Sequence, residues 1–259
     1  MKLVRMVGFH SLVLLSLLLA ALPGRAETAI ESSVETRFQL DLQIPDAISS
    51  RFLPRNWLMN VATSGNAKDC NVRMIFVDRL TVNGPDGKPA ARPSQRYVYL
   101  EIPATTDKGE QVRVVIGGIT ADAADAPGPF GNFLPAESHE MTRNITDKDG
   151  KVEESQTWSF RSGGGESVEM HVTFERGVSQ RNPVADTKFI SAKDPSIVLI
   201  SRQEQVLDVV RNASTNPPDR VKEFSLKVGG GTWDKIFNGS QRMLSWDNVV
   251  WISRTVLKP

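Results

Sequence analysis

The chain has 259 residues, is 40% hydrophobic and carries 31 Lys+Arg against 30 Asp+Glu. That is too apolar and too evenly charged for a disordered chain, and a formal charge of +1 offers no electrostatic footprint to nucleic acid. The balance is a composite. Residues 1–26 hold Lys2, Arg5 and Arg25 and no acid, which leaves about −2 for the remaining residues.

In chain order, the first segment reads as an address. Met1–Arg5 is short and basic, Met6–Leu22 is largely apolar with a Leu-rich centre, and Pro23 and Gly24 break any helix. Gly24 and Ala26 put small residues at the −3 and −1 positions of a cut before Glu27. This is the pattern of a secretory signal peptide, so residues 1–26 are expected to be removed. The alternative, an uncleaved anchor, has an apolar run that is marginal for a bilayer core needing about 20 residues. Residues 27–259 contain no second run of spanning length, so a single periplasmic or secreted domain is expected after cleavage. It holds one cysteine, Cys70, which cannot form an internal disulfide and reads as a small strand-end residue.

Beyond Glu27 the chain reads as short, often alternating apolar runs. Clear cases are Asn71–Val77, Tyr97–Ile102, Gln111–Ile116, Val168–Phe174, Ser196–Ile200, Gln205–Val210, Val221–Val228 and Val249–Val256. Turn chemistry separates them, as at Asn83–Gly87, Asp149-Gly150, Gly163–Gly165, Asn216–Asp219 and Gly229–Gly231. Helical signals are brief. Pro45 precedes Asp46–Leu53, where Ile48 and Phe52 recur at i,i+4 before Pro54, and Thr232–Phe237 reads as a single turn. Without strand–helix alternation a doubly wound parallel sheet is not expected. The expected fold is mainly β (α+β), a closed or strongly curved antiparallel β cone or barrel with a few short helices, since closure removes exposed edges.

Catalytic signatures are sparse. Only His139 and His171 follow the first segment, and with one cysteine no Cys/His zinc site can be assembled in the usual ways. No G-x-S-x-G elbow, P-loop or G-x-G-x-x-G fingerprint occurs, and no cofactor or metal is expected. The five tryptophans and eleven phenylalanines do not interleave with a basic stripe, which sets nucleic acid aside. One segment stands out: Pro127-Gly128-Pro129-Phe130-Gly131-Asn132-Phe133-Leu134 forms a constrained loop carrying apolar groups. If Ala136–Ile145 is a strand, Glu137, His139 and Arg143 share a face. They then either line a pocket for a small polar molecule or form an exposed polar strand face.

The order of these landmarks resembles the acetoacetate decarboxylase superfamily. Phe38–Leu40 and Ile44–Pro54 resemble that family's first strand, short helix and following proline, and Pro127–Phe133 stands where the family has its "G-R-E-x-x-x-x-P-K-K" stretch. Trp158–Gly177, Gln205–Val228 and Gly231–Pro259 resemble its later hairpins and closing segment. The resemblance implies a cone-like β structure around a small-acid pocket. It also implies a Schiff-base lysine, and here the sequence departs, because no lysine occurs between Lys108 and Lys148. Decarboxylase activity is therefore not carried over.

Three readings stay open. The first is an exported binding protein for a small organic acid or apolar carbonyl compound, in which Arg143 or Arg113 pairs with a carboxylate while Trp57, Phe130 and Phe133 supply apolar wall and Asn132 stands in the aligned stretch. The alternative is a lysine-independent enzyme with Glu137 or His139 as general acid–base. The third is a structural or partner-binding envelope protein, and a homo-oligomer is compatible with all three.

Overall fold

The computed structural model describes residues 27–90, 95–121, 130–212 and 219–259. The first segment, the loop residues 127–129 and the turn residues 216–218 singled out above lie outside the described residues. The fold is 66% strand and 5% helix, as the short alternating runs require. In chain order the elements are β1 (Thr28–Gln43), α1 (Asp46–Ser49) continued by a 3-10 turn (Ser50–Phe52), β2 (Leu58–Met59), β3 (Val72–Asn83), β4 (Gln95–Thr105) and β5 (Gln111–Thr120). They continue as β6 (Phe133–Lys148), β7 (Lys151–Ser162), β8 (Ser167–Glu175), β9 (Gln180–Ser191), β10 (Val198–Asn212), β11 (Val221–Gly229), α2 (Trp233–Ile236) and β12 (Arg242–Lys258).

Seven strands close a hydrogen-bonded ring in the order β5–β9–β10–β12–β1–β3–β4 and back to β5. Most pairings are antiparallel, as expected of the curved β fold, and two are parallel. One edge of β5 is shared by two parallel neighbours. Arg113–Val115 pairs with Phe189–Ser191 of β9, and Gly118–Thr120 pairs with Phe133–Pro135 of β6. At that fork β6 leaves the ring and joins β7, β8 and β11 in an antiparallel layer. Gly118 permits the fork, because a Cβ there would stand 2.5 Å from the Phe133 ring and 2.6 Å from the Val98 carbonyl.

The main core lies between the ring's outer face and this layer. Phe38, Leu40 and Leu42 of β1, with Met74, Phe76, Val98, Leu100, Ile102 and Trp246, meet Trp158, Phe160, Met170, Val172 and Phe174. Phe38 packs on Phe174 with ring centroids 5.8 Å apart, and Phe76 on Trp158 at 5.6 Å. Burying each such ring contributes about 1.5–3 kcal/mol. Strand alternation then sends the intervening residues, among them Arg37, Gln39, Arg73, Tyr99 and Glu101, to the ring interior. In an ordinary half-exposed strand that polar face meets solvent; here it faces a cavity.

The two short helices fall where the sequence places them. Asn71 anchors the start of α1, accepting from Ile44 N at 2.9 Å and donating to Ile44 O at 2.7 Å. Cys70 is buried just before β3, and burial, followed by the neighbouring Asp41 charge, pushes its thiol up to about 12, which suits an inert structural role. Among the described residues no helix is long and apolar enough to cross a membrane.

Candidate functional site: the ring interior

Cross-strand register writes a row of charge across the inner wall. Gln39 of β1 stands opposite Asp247 of β12, Asp41 opposite Arg73 of β3, and Arg73 opposite Glu101 of β4. Arg113 of β5 continues the row, so signs alternate from Asp41 through Arg73 and Glu101 to Arg113. Arg73 Nε donates to Asp41 Oδ1 at 2.9 Å, and Ser245 Oγ donates to Asp41 Oδ2 at 2.9 Å. Further along the contacts loosen. Glu101 Oε1 lies 3.9 Å from Arg73 Nη1 and 3.7 Å from Arg113 Nε, beyond hydrogen-bond range.

All of this row but the buried Asp41 faces a cavity of about 420 Å³, of the size that small-molecule sites occupy. β9 and β10 supply a neutral polar wall opposite, with Asn182, Thr187, Gln203 and Gln205. The wall has three arginines, Arg37, Arg73 and Arg113, and no lysine among the described residues. Tyr99 and Phe189 separate this cavity from a small apolar compartment of about 50 Å³ lined by Tyr97, Phe130, Phe133 and Val256.

Three groups set the electrostatics. Glu35, fully buried, accepts from Arg37 Nε at 2.8 Å and Ser33 Oγ at 2.7 Å and pairs with Arg254 at 2.9 Å. Burial works against its charge, but Arg254, Arg37 and Arg79 outweigh that cost and hold it at about 2. Asp247 lacks such support. Burial, then the like charges of Asp41 and Asp208, pushes it up to about 7 against the pull of Arg73. Its Oδ1 is covered and has no partner, while Oδ2 is 3.5 Å from Gln39 Nε2. Burial, reinforced by repulsion from Arg73, disfavours the charge on Arg113, which Glu101 offsets. Among the described residues no three His, Cys, Asp or Glu side chains group as metal ligands would.

The residues singled out from sequence scatter over this frame. Arg113 lines the cavity, and Phe130 and Phe133 line the apolar compartment, with ring centroids 6.5 Å apart. Asn132 donates to the Val115 carbonyl at 2.7 Å and borders a separate hollow near α2. Trp57 is half-buried against the main core and supplies no cavity wall there. Of the two arrangements open to Glu137, His139 and Arg143, lining this cavity is not the one found. A bulge between Ala136 and Ser138 interrupts the alternation at Glu137, which is exposed. His139, also exposed, stacks beside Phe160 at 6.3 Å, and Arg143 is tied to Glu154 at 2.6 Å. Arg73, Glu101 and Asp247 were not anticipated. The available signal was a charge set within otherwise apolar strands, as in Met74–Val77 after Arg73 and Tyr97–Leu100 before Glu101.

No protein-family model matches the sequence, and no curated protein is significantly similar to it. Solved structures are. The enduracididine biosynthesis enzyme MppR, complexed with the condensation product of pyruvate and imidazole 4-carboxaldehyde, superposes with a TM-score of 0.52 at 12% identity, covering 88% of this chain and 87% of that one. An acetoacetate decarboxylase-like enzyme from Sphingomonas wittichii RW1 gives 0.50 at 12% identity over 90% and 91% of the chains. Acetoacetate decarboxylase from Legionella pneumophila gives 0.49 at 8% identity over 88% and 85%. The chain has an acetoacetate decarboxylase-like fold. At this level of identity the likeness defines the fold and leaves the chemistry to the residues in the ring.

Proposed function

We propose that the ring interior binds a small organic acid reversibly, without covalent attachment to a lysine, in a protein exported by cleavage before Glu27. The observation that carries this reading is Arg113. It faces the cavity, its nearest charged partner is 3.7 Å away, and it donates no hydrogen bond among the described residues. A carboxylate would give that guanidinium the bidentate partner its geometry suits. The pyruvate-derived ligand of the similarly folded MppR supports a small-acid occupant. The charge pairs on the wall, Arg37 with Glu35 and Arg73 with Asp41, leave Arg113 as the cation least committed to the protein.

Native mass spectrometry of the protein purified from its own cells tests both parts. The expected mass begins at Glu27 and includes a dissociable acid. Calorimetry with a carboxylic-acid panel should show affinity falling about 10- to 100-fold in Arg113→Leu, the loss of a charge-assisted pair. Equal affinity in the variant would remove Arg113 from the site.

A second reading, a lysine-independent enzyme, is favoured by Asp247 in place of Glu137 or His139. A carboxyl held near 7 inside a cavity is suited to accept and return a proton. Exchange of the α-hydrogen of a bound carbonyl acid with deuterated solvent, lost in Asp247→Asn, distinguishes catalysis from simple binding; no exchange in the wild type retires the enzyme.

A further inference from the structure

Glu101 and Arg113 form a corner of the cavity in which neither side chain is satisfied. Glu101 is 3% exposed, yet its Oε2 has no hydrogen-bond partner, and its Oε1 has only the two guanidinium contacts at 3.7 and 3.9 Å. A buried carboxylate ordinarily collects several donors, and leaving one short is costly. Asp41 and Glu35 obey that rule. Asp41 accepts from Arg73, Ser245 and Gln39, and Glu35 from Arg37 and Ser33. Glu101, like Asp247, falls short of it, and Glu101 is the one that meets the uncommitted Arg113.

We infer that the ligand of this cavity carries a hydrogen-bond donor beside its carboxylate, a 2-amino or 2-hydroxy acid in preference to a 2-keto acid, with its carboxylate on Arg113 and its donor on Glu101. The inference rests on the binding reading above and sharpens it. The two groups of such an acid sit on neighbouring carbons, which matches the short gap between Arg113 and Glu101 on adjacent strands. An ammonium adds a fourth charge to the corner and leaves it balanced, since carboxylate meets guanidinium and ammonium meets carboxylate. A 2-keto oxygen is an acceptor only. Placed at the same point it would face the Glu101 oxygens, acceptor against acceptor, and exclude any water that served them.

Three scaffolds, each in amino, hydroxy and keto form, provide the test: alanine, lactate and pyruvate; glutamate, 2-hydroxyglutarate and 2-oxoglutarate; phenylalanine, phenyllactate and phenylpyruvate. Calorimetry on the wild-type protein at pH 7 should find, on the scaffold that fits, the amino form about 10- to 100-fold tighter than the keto form, with the hydroxy form between. Glu101→Gln, which keeps the side-chain volume, should reduce that ratio to within a few-fold of one. Keto forms binding as tightly as their amino partners would overturn the inference and leave the binding reading standing. Failure of every form on every scaffold would overturn both. The wild-type panel decides the matter even if the variant does not fold.

Discussion

Replacing Glu154 with alanine is expected to lower stability by about 3 kcal/mol. Glu154 of β7 is wholly buried and joins parts of the chain that hydrophobic contact alone would leave free to slide. Its Oε1 accepts from Arg143 Nε of β6 at 2.6 Å and from Gln156 Nε2 at 2.6 Å, and its Oε2 accepts from Arg176 beyond β8 and from Asn248 Nδ2 of β12 at 3.4 Å. Gln156 in turn accepts from Trp158 Nε1 at 2.9 Å and donates to Asn248 Oδ1 at 3.3 Å. The network therefore fastens the β6–β7–β8 layer to the ring at β12. Alanine takes the acceptor from two guanidiniums and two amides around a void, which is the costly way to break a buried ion pair. Both arginines retain some exposure, 22% and 27% at the side chain, which keeps the loss toward the low end of the range for such pairs. In a chain of this size the melting temperature should fall by about 6–12 °C, and urea unfolding should show a matching shift in midpoint. Glu154→Gln, which preserves shape and acceptor, should cost less. A loss below about 1 kcal/mol for the alanine variant would mean that the arginines reach water once released and that the layers are held by apolar contact alone.

Much of the architecture could be read from local pattern, and the site could not. The run Val168–Phe174 alternates cleanly because one face meets the core, and it is β8 nearly end to end. Pro45, Ile48, Phe52 and Pro54 bound a helix that the fold builds as one α turn and one 3-10 turn. In sequence β10 shows as two runs, Ser196–Ile200 and Gln205–Val210, because the polar stretch Ser201–Glu204 between them breaks the apolar pattern. In the fold Gln203 and Gln205 face the cavity and the strand runs through. The same inward polar face disguised much of β1. The charge row itself has no linear signature. Positions 41, 73, 101, 113 and 247 meet only because β12, β1, β3, β4 and β5 lie side by side and each register is set by its neighbours. Glu137, His139 and Arg143, close in sequence, looked like a cluster, but one bulge removed Glu137 from the pattern and Glu154 claimed Arg143. Short spacing overstated proximity, and long spacing hid it.

Asp247 should make the protein lose stability as the solution turns from mildly acidic to mildly alkaline, the reverse of the usual carboxylate behaviour. Its folded value of about 7 stands above the 3.8 of a free aspartate. Between those values the native state binds a proton that the unfolded chain has released, so unfolding is favoured progressively as pH rises. The contribution is fully present below about pH 4 and is lost as pH passes through 7. A shift of this size corresponds to about 3 kcal/mol for a half-buried group. Asp247→Asn removes the titration, so the variant and the wild type should be of similar stability at pH 4.5 and the variant more stable by about that amount at pH 8.5. Glu35 acts in the opposite sense and in a different window. Held at about 2, it stabilises the fold above 4.5 and withdraws that support only as pH falls below it. Urea titrations of both proteins from pH 4.5 to 8.5 therefore isolate Asp247 from Glu35, and a stability difference that stays flat across the range would show that Asp247 titrates as an ordinary surface acid. The same proton should bear on the cavity. A carboxylate ligand entering beside Asp247 adds negative charge where an aspartate is already reluctant to ionise, so its binding should take up a proton near pH 7. In Asp247→Asn that uptake should vanish, because the asparagine amide presents the ligand with a permanently neutral neighbour.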